Sequence, residues 1–192
     1  SPVKVQITNV VAIATSQYSS YALKSDGTVW SWGYNGYGQL GDGTTFSRYI
    51  PVKVQNLTNV VAIASGYYHA FALKSDGTLW NWGRNNYGQC SGDTTINYSV
   101  PTSVSSTISW KSIRAGGYFT VGIASDNKLW SWGRNNIYQC GYGLGIPSSS
   151  SIPVSVGITN ILIKNLYVGN STSTITRNDG SIWGWGDNTY SQ

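Results

Sequence analysis

Short apolar runs, separated by turn residues, recur along this chain at a spacing of about fifty residues. In one copy an apolar run from Val60 to Ala64 is followed by a second run from His69 to Leu73 and a third from Leu79 to Trp82. Apolar runs of this length, bounded by turn residues, are typical of buried strands. The Asp76-Gly77 pair between the second and third runs is a strong hairpin signal. The pattern therefore predicts an inner strand followed by an antiparallel hairpin.

The same pattern is written four times. Residues 10–40 return nearly unchanged as residues 60–90, and two diverged copies follow. Each copy carries a pair of tryptophans in its last run, at Trp30 and Trp32, Trp80 and Trp82, Trp130 and Trp132, and Trp183 and Trp185. A proline near alternating valines opens each copy, as is typical of an edge strand, at Pro2, Pro51, Pro101 and Pro153.

Four strands in about fifty residues, with no helical pattern, make up one propeller blade. We therefore predict an all-β fold, a β-propeller of four-stranded antiparallel blades with four blades in this chain. The single repeat domain spans 1–192, and the predicted blades are approximately 1–40, 41–90, 91–140 and 141–192. Composition agrees, because charged residues are only 10% of the chain and Gly, Ser, Thr, Asn, Tyr and Trp dominate, which favours short strands joined by tight turns.

The basic balance of the chain does not predict a nucleic-acid partner. The formal net charge of +5 comes from twelve Lys and Arg that are scattered singly along the sequence. Nucleic-acid-binding domains instead cluster their basic residues on one face. No apolar run approaches the roughly 20 residues that cross a bilayer, so membrane insertion is not predicted either.

Residues for catalysis or metal binding are sparse. The chain has one His, and four of its seven Asp lie in hairpin turns, at Asp26, Asp76, Asp126 and Asp179. A hydrolase needs a general base or a carboxylate pair, and a zinc site needs clustered Cys and His. Equivalent positions in neighbouring repeats usually lie too far apart for a disulfide, so Cys90 and Cys140 are predicted to be small apolar residues. We therefore predict no enzyme activity, no catalytic or metal site and no cofactor.

The repeated motif resembles that of a known family. In the first copy Ala22-Leu-Lys-Ser-Asp-Gly27, Trp32-Gly-Tyr-Asn35 and Gly38-Gln39 follow one another, and the second copy repeats them. An apolar strand followed by A-L-x-x-D-G and W-x-W-G-x-N-x-x-G-Q resembles the repeat of the regulator of chromosome condensation family, over practically the whole chain. The resemblance implies a seven-bladed propeller, usually about twice this length, that acts as a non-catalytic platform for gripping another macromolecule.

Four blades leave three arrangements open. The chain is part of a longer propeller, or it closes a ring with few blades, or it forms a homodimer in which two copies complete an eight-bladed ring. Members of the resembled family range from a nuclear exchange factor to a secreted bacterial inhibitor, and fold alone does not choose among such functions. Low charge with abundant Asn, Ser, Thr and Tyr favours a secreted, extracellular or cell-surface protein, with a cytoplasmic location as the alternative.

The loop after each inner strand carries the candidate binding residues. On a propeller these loops converge around the channel mouth, and tyrosine contributes a large rigid contact area with a polar handle. The candidates are Tyr18, Tyr67, Tyr68, His69, Tyr118 and Phe119. The connections after the tryptophan strands form a second candidate surface, in which Asn and Gly serve turn geometry and Arg84 and Arg134 are available to a partner.

These loop residues vary between copies, whereas the tryptophans and most of the Asp-Gly turns are preserved. Variation of this kind favours one asymmetric protein partner, so we predict a protein-binding platform. Two alternatives remain. One is a lectin-like propeller that holds a glycan in a similar pocket of each blade, and the other is a structural module that self-assembles through its open terminal blades.

Overall fold

The computed structural model describes residues 1–92, 96–143, 148–158 and 162–189. Within these ranges the chain forms fifteen strands and no helix. The strands form four antiparallel sheets, which confirms the all-β, propeller-type prediction. The same ranges contain no helix that is long and apolar enough to span a membrane.

Each sheet is built from consecutive strands, and every strand pairs with its neighbour in sequence. The first sheet contains β1 (Val10–Thr15), β2 (Ser19–Lys24), β3 (Val29–Gly33) and β4 (Arg48–Lys53). The second contains β5 (Val60–Ser65), β6 (His69–Lys74), β7 (Leu79–Gly83) and β8 (Tyr98–Ser103). The third contains β9 (Trp110–Ala115), β10 (Phe119–Ala124), β11 (Leu129–Arg134) and β12 (Ser149–Ser155). The fourth, within the described residues, contains β13 (Ile163–Val168), β14 (Thr172–Arg177) and β15 (Ile182–Gly186).

The outer strand belongs to the sheet before it in sequence. In the first sheet Trp30 of β3 pairs with Lys53 of β4, so the strand that contains Pro51 closes this sheet instead of opening the second one. The sheets therefore run over 10–53, 60–103, 110–155 and 163–186, about one strand later than the predicted blade bounds. The long loop after the tryptophan strand turns the chain back antiparallel, and the order of strands in the sequence did not reveal this. The region around Pro2 forms no strand, since residues 1–9 lie outside the sheets.

The apolar cores lie between neighbouring sheets. Tyr21 and Leu23 of the first sheet pack against Ala72 and Trp82 of the second. Phe71 and Leu79 of the second sheet pack in the same way against the third, and the third sheet packs against the fourth. Each sheet therefore depends on its neighbour to bury its apolar face, as in a propeller.

The free face of the fourth sheet is more polar than the faces that are covered. Thr174 and Thr176 stand in β14 where Phe71 and Leu73 stand in β6. Ile182 is 71% exposed, whereas its counterpart Leu79 is 1% exposed. The fourth sheet thus has a weaker core, and it presents hydroxyl groups where the others present apolar side chains.

A tryptophan-to-glutamine hydrogen bond joins each sheet to the one before it. The indole Nε1 of Trp82 donates to the main-chain carbonyl of Gln39 over 2.7 Å. The same bond is repeated from Trp132 to Gln89 at 2.9 Å and from Trp185 to Gln139 at 3.1 Å. The glutamine side chain meanwhile accepts a hydrogen bond from the amide two residues earlier and closes the turn, as Gln89 does for Tyr87. The W-x-W-G-x-N-x-x-G-Q motif is therefore the joint between sheets.

Candidate functional site

Two sets of loops leave the same end of the sheets. Because neighbouring strands are antiparallel, the β1–β2 and β3–β4 connections lie at one end and the β2–β3 hairpin lies at the other, and the same holds for every sheet. The loops after the inner strands are hydrogen-bonded to one another across sheets, from the Tyr67 amide to the Gly117 carbonyl at 3.1 Å and from the Gly117 amide to the Asn170 carbonyl at 2.9 Å. They surround a polar cleft of about 250 Å³.

Three of the sequence-predicted loops bring their tyrosines into contact. The ring of Tyr68 stacks on Tyr18, with centroids 5.7 Å apart, and lies 6.3 Å from Tyr118. Tyr67 meets Tyr118 edge-on at 5.5 Å. Tilted and edge-on arrangements at these distances are the favoured ones for aromatic pairs. Loops from three different sheets thus form one continuous aromatic surface.

The second set of loops extends the same surface. Tyr34 lies 6.2 Å from Tyr18, Tyr37 lies 5.0 Å from Tyr68, and Tyr87 lies 5.5 Å from Tyr118, all measured between ring centroids. The two surfaces that the sequence suggested are therefore one. We call it the tyrosine face, and its seven tyrosines are Tyr18, Tyr34, Tyr37, Tyr67, Tyr68, Tyr87 and Tyr118.

Sequence reasoning missed three of these tyrosines as binding residues. Tyr34, Tyr37 and Tyr87 lie in the second candidate surface, where Asn and Gly were interpreted as turn geometry and Arg84 and Arg134 alone were chosen as partner-binding residues. That interpretation is right for Asn35, whose side chain bonds Asp42, the Thr44 carbonyl and the Leu40 amide. The position of each residue relative to the asparagine could have separated folding residues from binding residues. Where an asparagine side chain points inward to fold the loop, the aromatic residues beside it are left to point outward.

Arg84 and Arg134 lie on the tyrosine face, as the sequence suggested. The guanidinium carbon of Arg84 is 4.7 Å from the ring centre of Tyr37 and 5.5 Å from that of Tyr118. Arg134 is 5.2 Å from Tyr87 and 5.9 Å from Tyr118. These are cation–π distances, so each guanidinium is attracted to the aromatic rings around it.

His69 and Phe119 do not belong to this surface, contrary to the sequence prediction. Both are 0% exposed. Each is the first residue of a strand, β6 or β10, and points into the core between sheets, where the His69 ring lies edge-on to Phe71. Burial lowers the pKa of His69 to about 3, so the ring is neutral at physiological pH. The sequence did not show where each loop ends, so the first strand residues His69 and Phe119 were assigned to the loops although their side chains point inward.

Arg84 and Arg134 supply the formal charges of the tyrosine face. Burial raises the pKa of Tyr68, and the neighbouring phenols of Tyr18 and Tyr118 raise it further, so its hydroxyl keeps its proton. Four of the aspartates lie at the opposite end, in the hairpin turns, where each accepts hydrogen bonds from its own turn, at Asp26, Asp76, Asp126 and Asp179. At the same end as the face, Asp42 is paired with Arg48 and Asp187 accepts hydrogen bonds from Thr189 in the fourth repeat, so the formal charge on the face itself comes from Arg84 and Arg134.

Other reactive groups in the described part of the chain have structural roles. Asp42 is paired with Arg48 at 2.7 Å and accepts hydrogen bonds from Thr44. Cys90 and Cys140 are buried free thiols. Among the described residues, no three His, Cys, Asp or Glu side chains are grouped as a metal site would require. The tyrosine face therefore offers aromatic area, phenolic hydroxyls and two guanidinium groups, which suit binding.

The chain matches models of the regulator of chromosome condensation (RCC1) repeat. One such model matches residues 26–73 and 76–123. A second matches residues 10–39, 60–89, 110–141 and 163–192, one segment in each repeat. The matched segments contain the inner strand, the hairpin and the tryptophan strand that the structure describes.

Solved structures of similar fold are larger than this chain. Human WBSCR16 is 24% identical over 93% of this chain, with a TM-score of 0.82. Yeast RCC1 (Prp20), solved bound to Kap60, is 25% identical over 97% of this chain, with a TM-score of 0.80. A second structure of Prp20p from Saccharomyces cerevisiae is 23% identical over 95% of the chain, with a TM-score of 0.78. This chain covers 48%, 45% and 45% of those three chains, about half of each.

Proposed function

This chain belongs to the regulator of chromosome condensation (RCC1) repeat family, and from that premise we propose that its tyrosine face is the docking surface for a protein partner. The role is recognition without catalysis. The observation that carries the proposal is the contact of seven tyrosine rings and two arginines from three sheets in one exposed surface.

The chemistry of the surface suits a protein partner. Tyr and Arg are enriched among the residues that contribute most to protein–protein binding. Tyr18 and Tyr34 are 51% and 43% exposed, an unusual exposure for clustered aromatic side chains. A yeast relative is solved in complex with the protein Kap60, and another structure of it is described together with binding to Gsp1p and histones. These relatives support the class of function and leave the partner of this chain open.

The surface is asymmetric, which favours a protein over a glycan repeated in each blade. Tyr18, Tyr68 and Tyr118 have Ser171 as their counterpart in the fourth repeat. Arg84 and Arg134 correspond to Tyr34 in the first repeat and Asp187 in the fourth. A lectin-like propeller would present similar pockets in every repeat. A single asymmetric protein partner instead requires different residues at the equivalent positions of different repeats.

A peptide-display selection against the immobilised protein tests this proposal. Ligands from a random library are isolated on the wild-type chain and measured on the double variant Tyr68→Ala, Tyr118→Ala. The matched control is Tyr49→Ala, Tyr167→Ala, which removes two tyrosines that are 98% and 59% exposed outside the tyrosine face. We expect the first variant to weaken binding at least about tenfold and the control to leave it unchanged. Ligands that bind both variants equally would refute the proposal.

The first sheet supports a second candidate function, assembly with another copy of the chain. Ile13 is 72% exposed on this sheet, whereas its counterpart Ile113 is buried at 1% exposure by the preceding sheet. Within the described residues, Trp32 has no glutamine carbonyl against it of the kind that Trp82 and Trp132 bind. Light scattering across a concentration series tests this candidate. A dimer that Ile13→Lys dissociates is the expected result, and a wild-type chain that stays monomeric excludes it.

A further inference from the structure

The two arginines of the tyrosine face point to the chemistry of its partner. We propose that the partner inserts an acidic polypeptide segment into this face and that carboxylates of the segment pair with Arg84 and Arg134. The inference rests on the proposed function, since it names what the same surface binds.

Neither guanidinium has a counter-ion within the described residues. Two arginines form salt bridges within those ranges. Arg48 pairs with Asp42 at 2.7 Å, and Arg177 pairs with Asp179 at 3.7 Å. The side chains of Arg84 and Arg134 contact tyrosine rings instead. The buried Nε of Arg84 has no hydrogen-bond partner in the same ranges. Arg114 donates to the Ile113 carbonyl, so Arg84 and Arg134 are the two arginines that lie against aromatic rings without a carboxylate among the described residues.

The stacking prepares both guanidiniums for a carboxylate. Arg84 lies within 5.7 Å of the ring centres of Tyr37, Tyr68 and Tyr118, so its plane is restrained by aromatic faces. Because the Nε of Arg84 is buried, a carboxylate would pair with its terminal Nη1 and Nη2 groups, which can donate the two parallel hydrogen bonds that carboxylates accept. Because the rings already hold the side chain, less rotamer entropy is lost when a ligand binds.

One short segment can reach both arginines. Their guanidinium carbons lie 5.5 Å and 5.9 Å from the centre of the same ring, that of Tyr118. Carboxylates two to four residues apart in an extended chain are separated by about 7 to 13 Å. Side chains of an extended chain alternate between its two sides, so when two carboxylates four residues apart face the arginines, the side chain midway between them faces the tyrosine rings, which accept apolar groups. An acidic segment with interspersed apolar residues therefore fits the surface.

Single-stranded nucleic acid is the other ligand that pairs aromatic rings with arginine. A nucleic acid needs a positively charged track along its backbone. Toward the same end of the sheets, Arg48 is paired with Asp42 and Arg114 donates to the Ile113 carbonyl, so the described residues form no such track beside the face. Lys24 and Arg177 lie at the opposite end, where each is close to an aspartate of its own hairpin. The observations therefore favour a polypeptide, and nucleic acid is kept as an arm of the test.

Fluorescence anisotropy with three labelled probes tests the inference. The first is a nine-residue peptide with glutamate at positions 1, 5 and 9, leucine at positions 3 and 7 and serine elsewhere, so that glutamate and leucine share one side of the extended chain. The second has glutamine in place of every glutamate, and the third is a nine-nucleotide oligothymidine. Each is titrated with wild type, Arg84→Gln, Arg134→Gln and Arg177→Gln. The last variant is the matched control, because Arg177 is also stacked on an aromatic ring, that of Trp183 at 5.4 Å, but at the other end of the sheets.

We expect the glutamate peptide to bind at least about tenfold more tightly than the glutamine peptide and than oligothymidine. Arg84→Gln and Arg134→Gln should each weaken the glutamate peptide about tenfold, and Arg177→Gln should leave its affinity within a factor of two. Arg84→Lys keeps the charge but loses the planar fork, so an intermediate loss is expected. Thermal unfolding of each variant establishes that it is folded.

Three outcomes would overturn the inference: no binding of the glutamate peptide, equal binding of the glutamate and glutamine peptides, or equal losses in Arg84→Gln and Arg177→Gln. Tighter binding of oligothymidine would replace the acidic segment with a nucleic acid. These results are separable from those of the proposed function. Display ligands that depend on Tyr68 and Tyr118 but ignore Arg84→Gln would leave the docking surface standing and remove only its acidic specificity.

Discussion

Gly83 ends the second tryptophan strand in a backbone conformation that favours glycine. Its φ is +99°, and the same position in the other repeats has φ of +108°, +100° and +115°, at Gly33, Gly133 and Gly186. A Cβ at Gly83 would collide with the carbonyl oxygen of Tyr68. The invariable glycine after the second tryptophan therefore lets the strand end pass close to the loop that carries the binding tyrosines.

Replacing this glycine should destabilise the fold. Gly83→Ala is expected to lower the free energy of unfolding by about 3 kcal/mol, because strain at positive φ and a backbone collision add together. Gly180→Ala is the control, since Gly180 has φ of +83° and no atom within 4 Å of an added Cβ. It should cost only about 1 kcal/mol. Urea unfolding of both variants measures the difference, and equal losses would show that the close approach at Gly83 contributes nothing.

His69 should make stability depend on pH. Its pKa is lowered to about 3 by burial, from an ordinary value of 6.5. Below pH 6.5 the unfolded chain binds a proton that the folded chain excludes until about pH 3, so the free energy of unfolding is fully retained above pH 6.5 and falls as the pH falls through this window. At pH 4.5 the loss should be about 2 to 3 kcal/mol.

The variant His69→Phe isolates this effect, because His69 is the one histidine in the chain and Phe119 already occupies the equivalent position in the third repeat. The variant should lose the pH dependence between pH 4.5 and 6.5. Unfolding in urea at a series of pH values measures this. Parallel curves for wild type and variant would mean that His69 is protonated in the folded chain.

At the scale of strands and turns, Trp82, which joins two sheets, should contribute more to the free energy of unfolding than Trp80, two residues earlier in the same strand. Trp82 is 0% exposed and donates to the Gln39 carbonyl, whereas Trp80 is half-buried and lies under the Lys74 ammonium at 4.2 Å. Trp82→Phe should lower the free energy of unfolding by about 2 to 4 kcal/mol through lost packing and a lost hydrogen bond. Trp80→Phe should cost less than about 1 kcal/mol.

Thermal and urea unfolding of these two variants make the comparison. The two substitutions are chemically identical and lie in the same strand, β7, so strand propensity cancels. Similar losses of unfolding free energy in the two variants would show that the hydrogen bond from Trp82 to Gln39 adds little to the stability that burial provides. The repeated glutamine would then need another explanation.

The strands were largely predictable from the sequence, but their assignment to sheets was not. The Asp76-Gly77 hairpin and the apolar run from Val60 follow from local pattern, because turn chemistry and strand burial are local. The strand that contains Pro51 was assigned to the wrong neighbour, because a loop of fourteen residues, 34–47, leaves the pairing to tertiary contacts. The outer strand is held by pairs such as Ser31 with Val52, which no local pattern encodes.

At the scale of the whole molecule, the binding surface exists only because sheets stand side by side. Tyr18, Tyr68 and Tyr118 were predictable as candidates, since aromatic residues recur in loops that meet at a propeller rim. The contact of Tyr37 and Tyr87 with this set was not predictable, because it depends on how the long loop of one sheet folds over the short loop of the next sheet. Arg84 bridges the two sets, lying 4.7 Å from Tyr37 and 5.7 Å from Tyr68.

If the tyrosine face is the docking surface, the partner contacts this rim and not the hairpin end. Hydrogen–deuterium exchange of the chain with and without a display-selected peptide tests it most directly, because it reads every loop in one experiment. We expect slowed exchange in the rim loops at residues 16–18, 66–68 and 116–118, with no change in the hairpins at residues 25–28, 75–78 and 125–128. Slowed exchange in the hairpins with unchanged rim loops would contradict it.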